Sequence, residues 1–283
     1  MTNEQKEQIR DALLRYTAGF ATQKEAAESL DDVSATTLSL LKNDRWEKIT
    51  ERTWQHIARQ VGFYCAEEWK QADTGPYLLL RILFGDAQRY AMAYGVAIGS
   101  GLGKTYTAKY YAKEHANAHY IACNEQMNRK GLLDALIKIA GGNTSRSAEA
   151  SLAQVTALLG AQEEPLIIID DAHKLKDRAL HFAALLYKTL INKCGIIILG
   201  SDELRSRVVE GARLNKELHQ ELYNAIGRRF ITLGQLGPRD VEVVCRANGV
   251  TNEATITEIK DTCRGSLHHA TSLIHAARLQ SGS

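Results

Sequence analysis

Two short runs of residues carry the chemistry this chain can offer. In the first, Ile98-Gly99-Ser100-Gly101-Leu102-Gly103-Lys104-Thr105, small residues and glycines precede a lysine and a hydroxyl. Backbone N–H groups in such a loop wrap phosphate oxygens, and a helix opening at its end adds the partial positive charge of its N-terminus. Gly99, Ser100, Gly101, Leu102 and Gly103 would form the cradle. Lys104 would reach the β- and γ-phosphates of a nucleoside triphosphate, and the Thr105 hydroxyl would bind Mg²⁺. The usual pattern GxxxxGK[ST] has a glycine where this chain has Ile98, so the cradle departs from it at one position.

The second run, Leu166-Ile167-Ile168-Ile169-Asp170-Asp171, reads as an aliphatic strand ending in two carboxylates, with Asp170 lying 65 positions beyond Thr105. Phosphoryl transfer needs a carboxylate beside the metal. Asp170 would hold Mg²⁺ through water, and Asp171 would orient or activate the attacking water. A buried strand that merely happens to end in Asp-Asp accounts for the strand but not for its spacing from the glycine loop.

Positioning these runs takes alternating strands and helices. Strands are expected at 92–98, 119–123, 165–170, 195–200 and 229–233. Helices are expected at 77–90, 103–116, around 130–139, at 147–159 and 177–193, and between 202 and 227. Alternation of this length predicts an α/β fold with a parallel sheet covered on both faces. After Gly237-Pro238 the pattern is helical to the end, in three segments. Ahead of the sheet, Ile9, Leu13, Leu14 and Tyr16 give the apolar stripe of a helix over 3–17. A short helix near Gln23–Ala27 and a second one, capped by Ser34 and running to Leu41, describe a helix-turn-helix. Trp46, Ile49, Trp54, Ile57 and Val61 supply core for a further helix, and 62–76, with the turn signal Gly75-Pro76, reads as a linker or an irregular entry strand. The expected organisation is a helical module over 1–62, an α/β core over 63–236 and a small helical lid over 237–283.

Composition excludes several classes. With 283 residues, 45% of them hydrophobic, the chain folds rather than staying disordered and has room for two or three domains at roughly 100–200 residues each. The 35 Lys+Arg and 33 Asp+Glu leave a net charge of +2, which excludes bulk electrostatic coating of nucleic acid and leaves only local patches. Cysteines at 65, 123, 194, 245 and 263 form no CxxC pair and no zinc spacing, which predicts reduced thiols. The first twenty residues lack a signal peptide's apolar core, and no aliphatic run is long enough to cross a bilayer. A cytoplasmic protein without a membrane partner is expected.

Asp170-Asp171-Ala172-His173-Lys174-Leu175 after its strand, with the glycine loop before it, resembles the AAA+ ATPases of the DNA-transposition group, which include the MuB-like target-selection proteins. The order of helix-turn-helix module, P-loop core and lid is similar to theirs, and the N-terminal pattern resembles the lambda-repressor type of DNA-binding domain, with 34–41 as recognition helix. The resemblance implies an ATPase with ATP and Mg²⁺ as cofactors, and it points to further site residues. Gly195–Leu199 becomes the sensor-1 strand, with Ser201 the candidate to contact the γ-phosphate or the attacking water; an ordinary helix N-cap is the alternative. Arg228 or Arg229, before the last strand, fits an arginine finger that reaches a neighbour's ATP, with a surface salt bridge as the alternative. His268, in Gly265-Ser266-Leu267-His268, stands where the family often has its sensor-2 arginine, and Asp171 stands where many relatives have Glu. Both departures predict slow hydrolysis, stimulated by DNA or a partner.

A finger acting in trans requires a homo-oligomer, a helical filament or a ring, with ATP at its subunit interfaces. The resemblance implies assembly on double-stranded DNA and recruitment of a transposase. Arg129 and Lys130 in the 124–130 loop, and Lys174 and Lys176 after the two carboxylates, can pair with phosphates without sequence preference; a solvated cationic face is the plain alternative. Residues 1–61 hold nine Lys or Arg and ten Asp or Glu, so direct DNA binding by this module and docking of a protein partner both stay open. Two other functions share these motifs. One is a helicase loader whose N-terminal module grips a helicase. The other is a helix-turn-helix regulator with a non-hydrolysing ATP switch, against which the near-neutral charge of residues 1–61 counts.

Overall fold

The computed structural model describes residues 3–20, 22–31, 33–43, 45–46, 49–61, 69–144 and 147–281. The chain divides into two compact units, 1–69 and 70–283. Cys65 and residues 62–68 of the expected linker lie outside the described residues.

Among the described residues the first unit forms four helices, α1 (Asn3–Thr17), α2 (Gln23–Glu28), α3 (Ala35–Lys42) and α4 (Glu51–Gln60). Local signals start α2 and α3. The Thr22 hydroxyl accepts the Glu25 N–H while the Glu25 carboxylate accepts the Thr22 N–H, a reciprocal cap. Ser34 caps α3 through the Thr37 N–H at 3.1 Å. Ile9, Leu13, Leu38, Leu41, Trp54 and Ile57 form the core. Leu14, expected on the same stripe, is only half-buried. Trp46 precedes the last helix rather than lying on it and packs its ring 5.5 Å from that of Trp54.

The second unit opens with α5 (Gly75–Tyr90) and continues β1 (Ala93–Ala97), α6 (Lys104–Glu114), β2 (Ala118–Ala122), α7 (Arg129–Ile139), α8 (Ala148–Gly160) and β3 (Leu166–Asp170). It proceeds through α9 (Asp177–Thr189), β4 (Gly195–Gly200), α10 (Asp202–Arg213), α11 (Glu217–Ala225) and β5 (Phe230–Thr232) to α12 (Pro238–Ala247), α13 (Glu253–Cys263) and α14 (Leu267–Ser281). The five strands are parallel in the order β2-β3-β4-β1-β5. Every residue of β3 and β4 is buried, which is why both read as continuous aliphatic runs instead of alternating ones. Ile167, Ile169, Ile196 and Ile198 join one core with α7 to α11, while α5 packs on β4 and β3 and α6 on β2 and β3. Gly195 permits that approach: a Cβ there would lie 2.2 Å from the Ala87 carbonyl oxygen of α5.

Two expectations for the entry segment are corrected. Gly75-Pro76 is not a turn but the first turn of α5, capped by the Thr74 hydroxyl, because proline lacks only a donor that a helix start leaves unused. Lys70 is no free linker residue either. Its N–H donates to Asn248 Oδ1 at 2.9 Å, its carbonyl accepts Asn248 Nδ2 at 3.1 Å, and the Gly75 N–H donates to Asp240 Oδ1 at 2.7 Å, so the entry is tied to α12 and the residue that follows it. Among the described residues no helix is long and apolar enough to cross a membrane.

Replacing Gly195 with alanine is expected to destabilise the fold by about 3 kcal/mol or more, the upper end of overpacking costs, since the obstacle is backbone. Gly160→Ala, where a Cβ meets nothing within 4 Å, should leave stability unchanged or raise it by about 0.4–1 kcal/mol. Urea unfolding of the two variants checks the contrast.

Candidate active site

The glycine loop joins β1 to α6. Ile98 extends the strand: its N–H donates to the Gly200 carbonyl at 2.9 Å and its side chain is fully buried. Sheet register therefore occupies the position where the usual pattern has a glycine. The turn is made by Gly101 and Gly103, both at φ +78°, a conformation that glycine adopts without strain, whereas Gly99 has no such demand. Leu102 is buried between them. Lys104 opens α6, half-buried, and its ammonium has no hydrogen bond or ion pair among the described residues.

Across β4 from this loop, Asp170 ends β3 at 1% exposure. Thr105 Oγ1 donates to its Oδ2 at 2.7 Å, Tyr120 Oη donates to the same oxygen at 3.1 Å, and the Asp171 N–H donates to Oδ1 at 2.8 Å. The sequence reading joined Thr105 and Asp170 and missed Tyr120, which lies in β2 two residues before the partner of Asp170 in the ladder. Burial, and then the Asp170 charge, push the Tyr120 phenol well above its ordinary range, so it remains a donor. Burial, reinforced by the same carboxylates, raises the Cys123 thiol to about 12 and keeps it protonated.

Asp171 leaves the strand in the left-handed region, φ +55°, and opens a 3-10 turn over Ala172–Lys174. Its Oδ2 accepts Lys174 Nζ at 2.7 Å, a contact that raises the lysine's pKa. The loop is pinned from α10. Arg207 Nη1 and Nη2 donate to the carbonyls of His173 (3.2 Å) and Leu175 (3.0 Å), and Asp177 Oδ1 lies 3.7 Å from its Nε and 3.4 Å from His219 Nε2. Neither Arg207 nor His219 was singled out from sequence; both act over distances in the chain that a local pattern does not register.

The other expected residues sort as follows. Ser201 occupies the N-cap position of α10, yet its hydroxyl makes no capping bond and is buried with no partner among the described residues. Arg228, at φ +56°, donates through Nε to Asn224 Oδ1 at 2.7 Å, whereas Arg229 is exposed and makes no side-chain bond among the described residues. His268 is exposed in the first turn of α14. Beside it the Leu267 N–H donates to the Gly101 carbonyl at 2.7 Å, and a Cβ at Gly101 would lie 2.7 Å from Ser266 Oγ. The lid thus touches the glycine loop through backbone. The two loops line one cavity of about 640 Å³, whose walls carry Arg129, Lys176 and Arg178 together with the carboxylates Glu125 and Asp177. Of the four cations expected there, Lys130 is paired with Asp134 and Lys174 with Asp171, Arg129 lies 5.1 Å over the Phe182 ring, and Lys176 is exposed without a partner among the described residues. Arg178, likewise exposed and without a partner among the described residues, is not marked by the sequence.

The donor set fits the groups the motifs imply. Oxygens of Asp170 and Thr105 suit Mg²⁺, which is bound through one or two carboxylates plus substrate phosphates rather than in an all-protein cage. Among the described residues no cluster of His, Cys, Asp and Glu forms such a cage. An unpaired Lys104, a glycine turn and the orphaned Ser201 hydroxyl suit a phosphate chain.

Residues 94–208, from β1 into α10, match the family model described as AAA domain. No curated protein matches the chain. The match supports a P-loop AAA-type ATPase, with nucleotide binding that in such domains usually involves Mg²⁺.

Because Thr105 and Tyr120 donate to one carboxylate oxygen, Thr105→Val and Tyr120→Phe should each lower stability by about 1.5–3 kcal/mol, as for hydrogen bonds to a charge. The double variant should depart from additivity by at least about 0.5 kcal/mol. A double-mutant cycle by denaturant unfolding decides; strictly additive losses would show that the two hydroxyls do not share this load.

Proposed function

We propose that this protein is an ATP-dependent, DNA-binding ATPase that assembles on duplex DNA with little sequence preference and directs target selection and transposase recruitment in DNA transposition. The observation that carries the ATPase is the juxtaposition of the unpaired Lys104 with the Thr105–Asp170 pair at the end of one parallel sheet. The DNA-binding part is supported by the convergence of the 124–130 and 174–178 loops on one cavity where exposed Arg129, Lys176 and Arg178 outnumber Glu125 and Asp177. Transposition rests on the order of modules, helix-turn-helix pair first and three-helix lid last, which resembles that of the transposition ATPases.

In this reading Mg²⁺, when bound, neutralises charge on the β- and γ-phosphates. The chain does the rest. Gly101 to Gly103 present backbone N–H groups and Lys104 its charge to the phosphates. Asp170, held by Thr105 and Tyr120, would hold the metal, and Asp171 would take the proton of the attacking water. Ser201 offers a hydroxyl with no partner among the described residues. Arg229, untethered, is the better finger than Arg228, whose Nε is tied to Asn224. His268 offers no permanent charge in the place of a sensor arginine.

Electron microscopy with random-sequence duplex tests the assembly: filaments or rings should require ATP and be lost in Lys104→Ala. Arg229→Ala should still bind ATP but lose turnover on the scale of about 10³, and Arg228→Ala should not. Mixing Lys104→Ala with Arg229→Ala subunits should restore part of the turnover, since some interfaces then join an intact Lys104 to an intact Arg229. Sequence-selective binding by residues 1–61 would instead favour the helix-turn-helix regulator.

A further inference from the structure

The donors around Asp170 determine how much of its carboxylate is left for a ligand. A carboxylate offers about four lone-pair sites, shared equally by its oxygens. Thr105 Oγ1 (2.7 Å) and Tyr120 Oη (3.1 Å) fill both on Oδ2, and the Asp171 N–H (2.8 Å) fills one on Oδ1. A single acceptor site remains, on Oδ1. Because the Thr105 hydroxyl donates here, its own lone pairs stay available to a metal. Several elements cooperate to put the phenol in this place. Tyr120 pairs with Ile168, two residues before Asp170 and on the same face of the sheet, and diagonal neighbours across strands are within reach of an aromatic side chain. The ring is held from α6, where Lys109 Nζ lies 5.6 Å from its centroid. Lys109 stands one turn after Thr105 on that helix. One helix therefore serves both hydroxyls that meet on Oδ2.

From this geometry we infer that Tyr120 is a positioning residue that sets metal choice: by filling Oδ2 together with Thr105 it makes Asp170 a one-oxygen ligand, which selects Mg²⁺ over Ca²⁺ beside a nucleotide. The inference rests on the ATPase reading above and deepens it to the specificity of the same site. The two cations ask for different things. Mg²⁺ keeps several waters and is held through one or two carboxylates, whereas Ca²⁺ takes more oxygens and often both oxygens of one carboxylate. With Oδ2 full, Asp170 can present only Oδ1, either directly or to a water. Removing the phenol returns an acceptor site to Oδ2 and leaves Thr105 and the Asp171 N–H to orient the group. Partners that orient a metal-holding carboxylate typically change metal affinity by about 10- to 100-fold when removed.

The test is equilibrium binding of a fluorescent, non-hydrolysable ATP analogue by the full chain, titrated with Mg²⁺, with Ca²⁺ and with neither. It reads affinity and requires no turnover. Wild type is expected to show a Mg²⁺ midpoint at least about tenfold below its Ca²⁺ midpoint. Tyr120→Phe is expected to raise the Mg²⁺ midpoint about tenfold, to leave the Ca²⁺ midpoint unchanged or lower it, and to keep the metal-free affinity, since the glycine loop is untouched. A merely structural tyrosine would weaken binding alike with and without metal. Midpoints in Tyr120→Phe that stay at wild-type values, that shift by the same factor for the two cations, or that change only as the metal-free affinity does would overturn the inference and leave the ATPase standing. Should the variant be too unstable to assay, wild type decides by itself: equal midpoints for the two cations count against the inference and the tenfold preference for it. Failure of wild type to bind the analogue under any of the three conditions would overturn the ATPase reading and the inference with it.

Discussion

Asp170 is a carboxylate almost wholly removed from water, and much of the second unit follows from what that requires. Moving such a charge out of water costs several kcal/mol even after relaxation, so it persists only where donors replace the lost solvent. Three do so: the Thr105 and Tyr120 hydroxyls and the Asp171 N–H. At about 1.5–3 kcal/mol each for bonds to a charged group, their sum is of the size of the penalty. Each donor comes from a different element. Thr105 belongs to the first turn of α6, Tyr120 to β2, and Asp171 to the start of the loop after β3. A single buried charge thus fixes the mutual placement of a helix start, an edge strand and a loop.

Strand β4 sets the distance over which this works, because it lies between β1 and β3. Thr105 must reach across the end of β4 to meet Asp170, which is possible only if the glycine loop turns back sharply over the sheet. Gly101 and Gly103 supply that turn. β4 itself is glycine at both ends: Gly195 lets α5 approach, and a Cβ at Gly200 would lie 2.4 Å from the Leu204 side chain of α10. The same strand end carries the Gly200 carbonyl that holds Ile98 in register. Ile98 in place of a glycine is consistent with this, since the residue belongs to the sheet before the loop begins.

What was legible in the sequence was what depends on neighbours along the chain. The apolar runs of β3 and β4, the Ser34 cap, the glycine loop and the two carboxylates all state their roles within a few residues, and the structure places Thr105 and Asp170 in contact. Tyr120 was not legible, because an aromatic in a short strand is an ordinary occupant of a pleated surface, and only the register Ala122↔Asp170 brings its hydroxyl to the carboxylate. Asn248 and Lys70 are 178 positions apart, so nothing local marked 70–74 as pinned to the lid. The Lys174–Asp171 pair is close in sequence, yet it forms in a loop where Asp171 takes a left-handed backbone, which its residue type permits without announcing. Arg228 and Arg229 are equivalent by pattern; the positive φ at Arg228 and its bond to Asn224 distinguish them.

The helix α10 joins parts of the site that the sequence presents as separate. Its N-cap is Ser201, whose buried hydroxyl has no partner among the described residues at the end of β4. Less than two turns later Arg207 grips both carbonyls that flank Lys174. The far end of that grip is closed by Asp177 and by His219, a 5% exposed side chain of α11 that fits only because residue 211 is glycine: a Cβ there would lie 2.4 Å from its ring. Packed interiors respond to displacement as units rather than by local deformation. One helix thus meets both the end of β4, through Ser201, and the loop after β3, through Arg207.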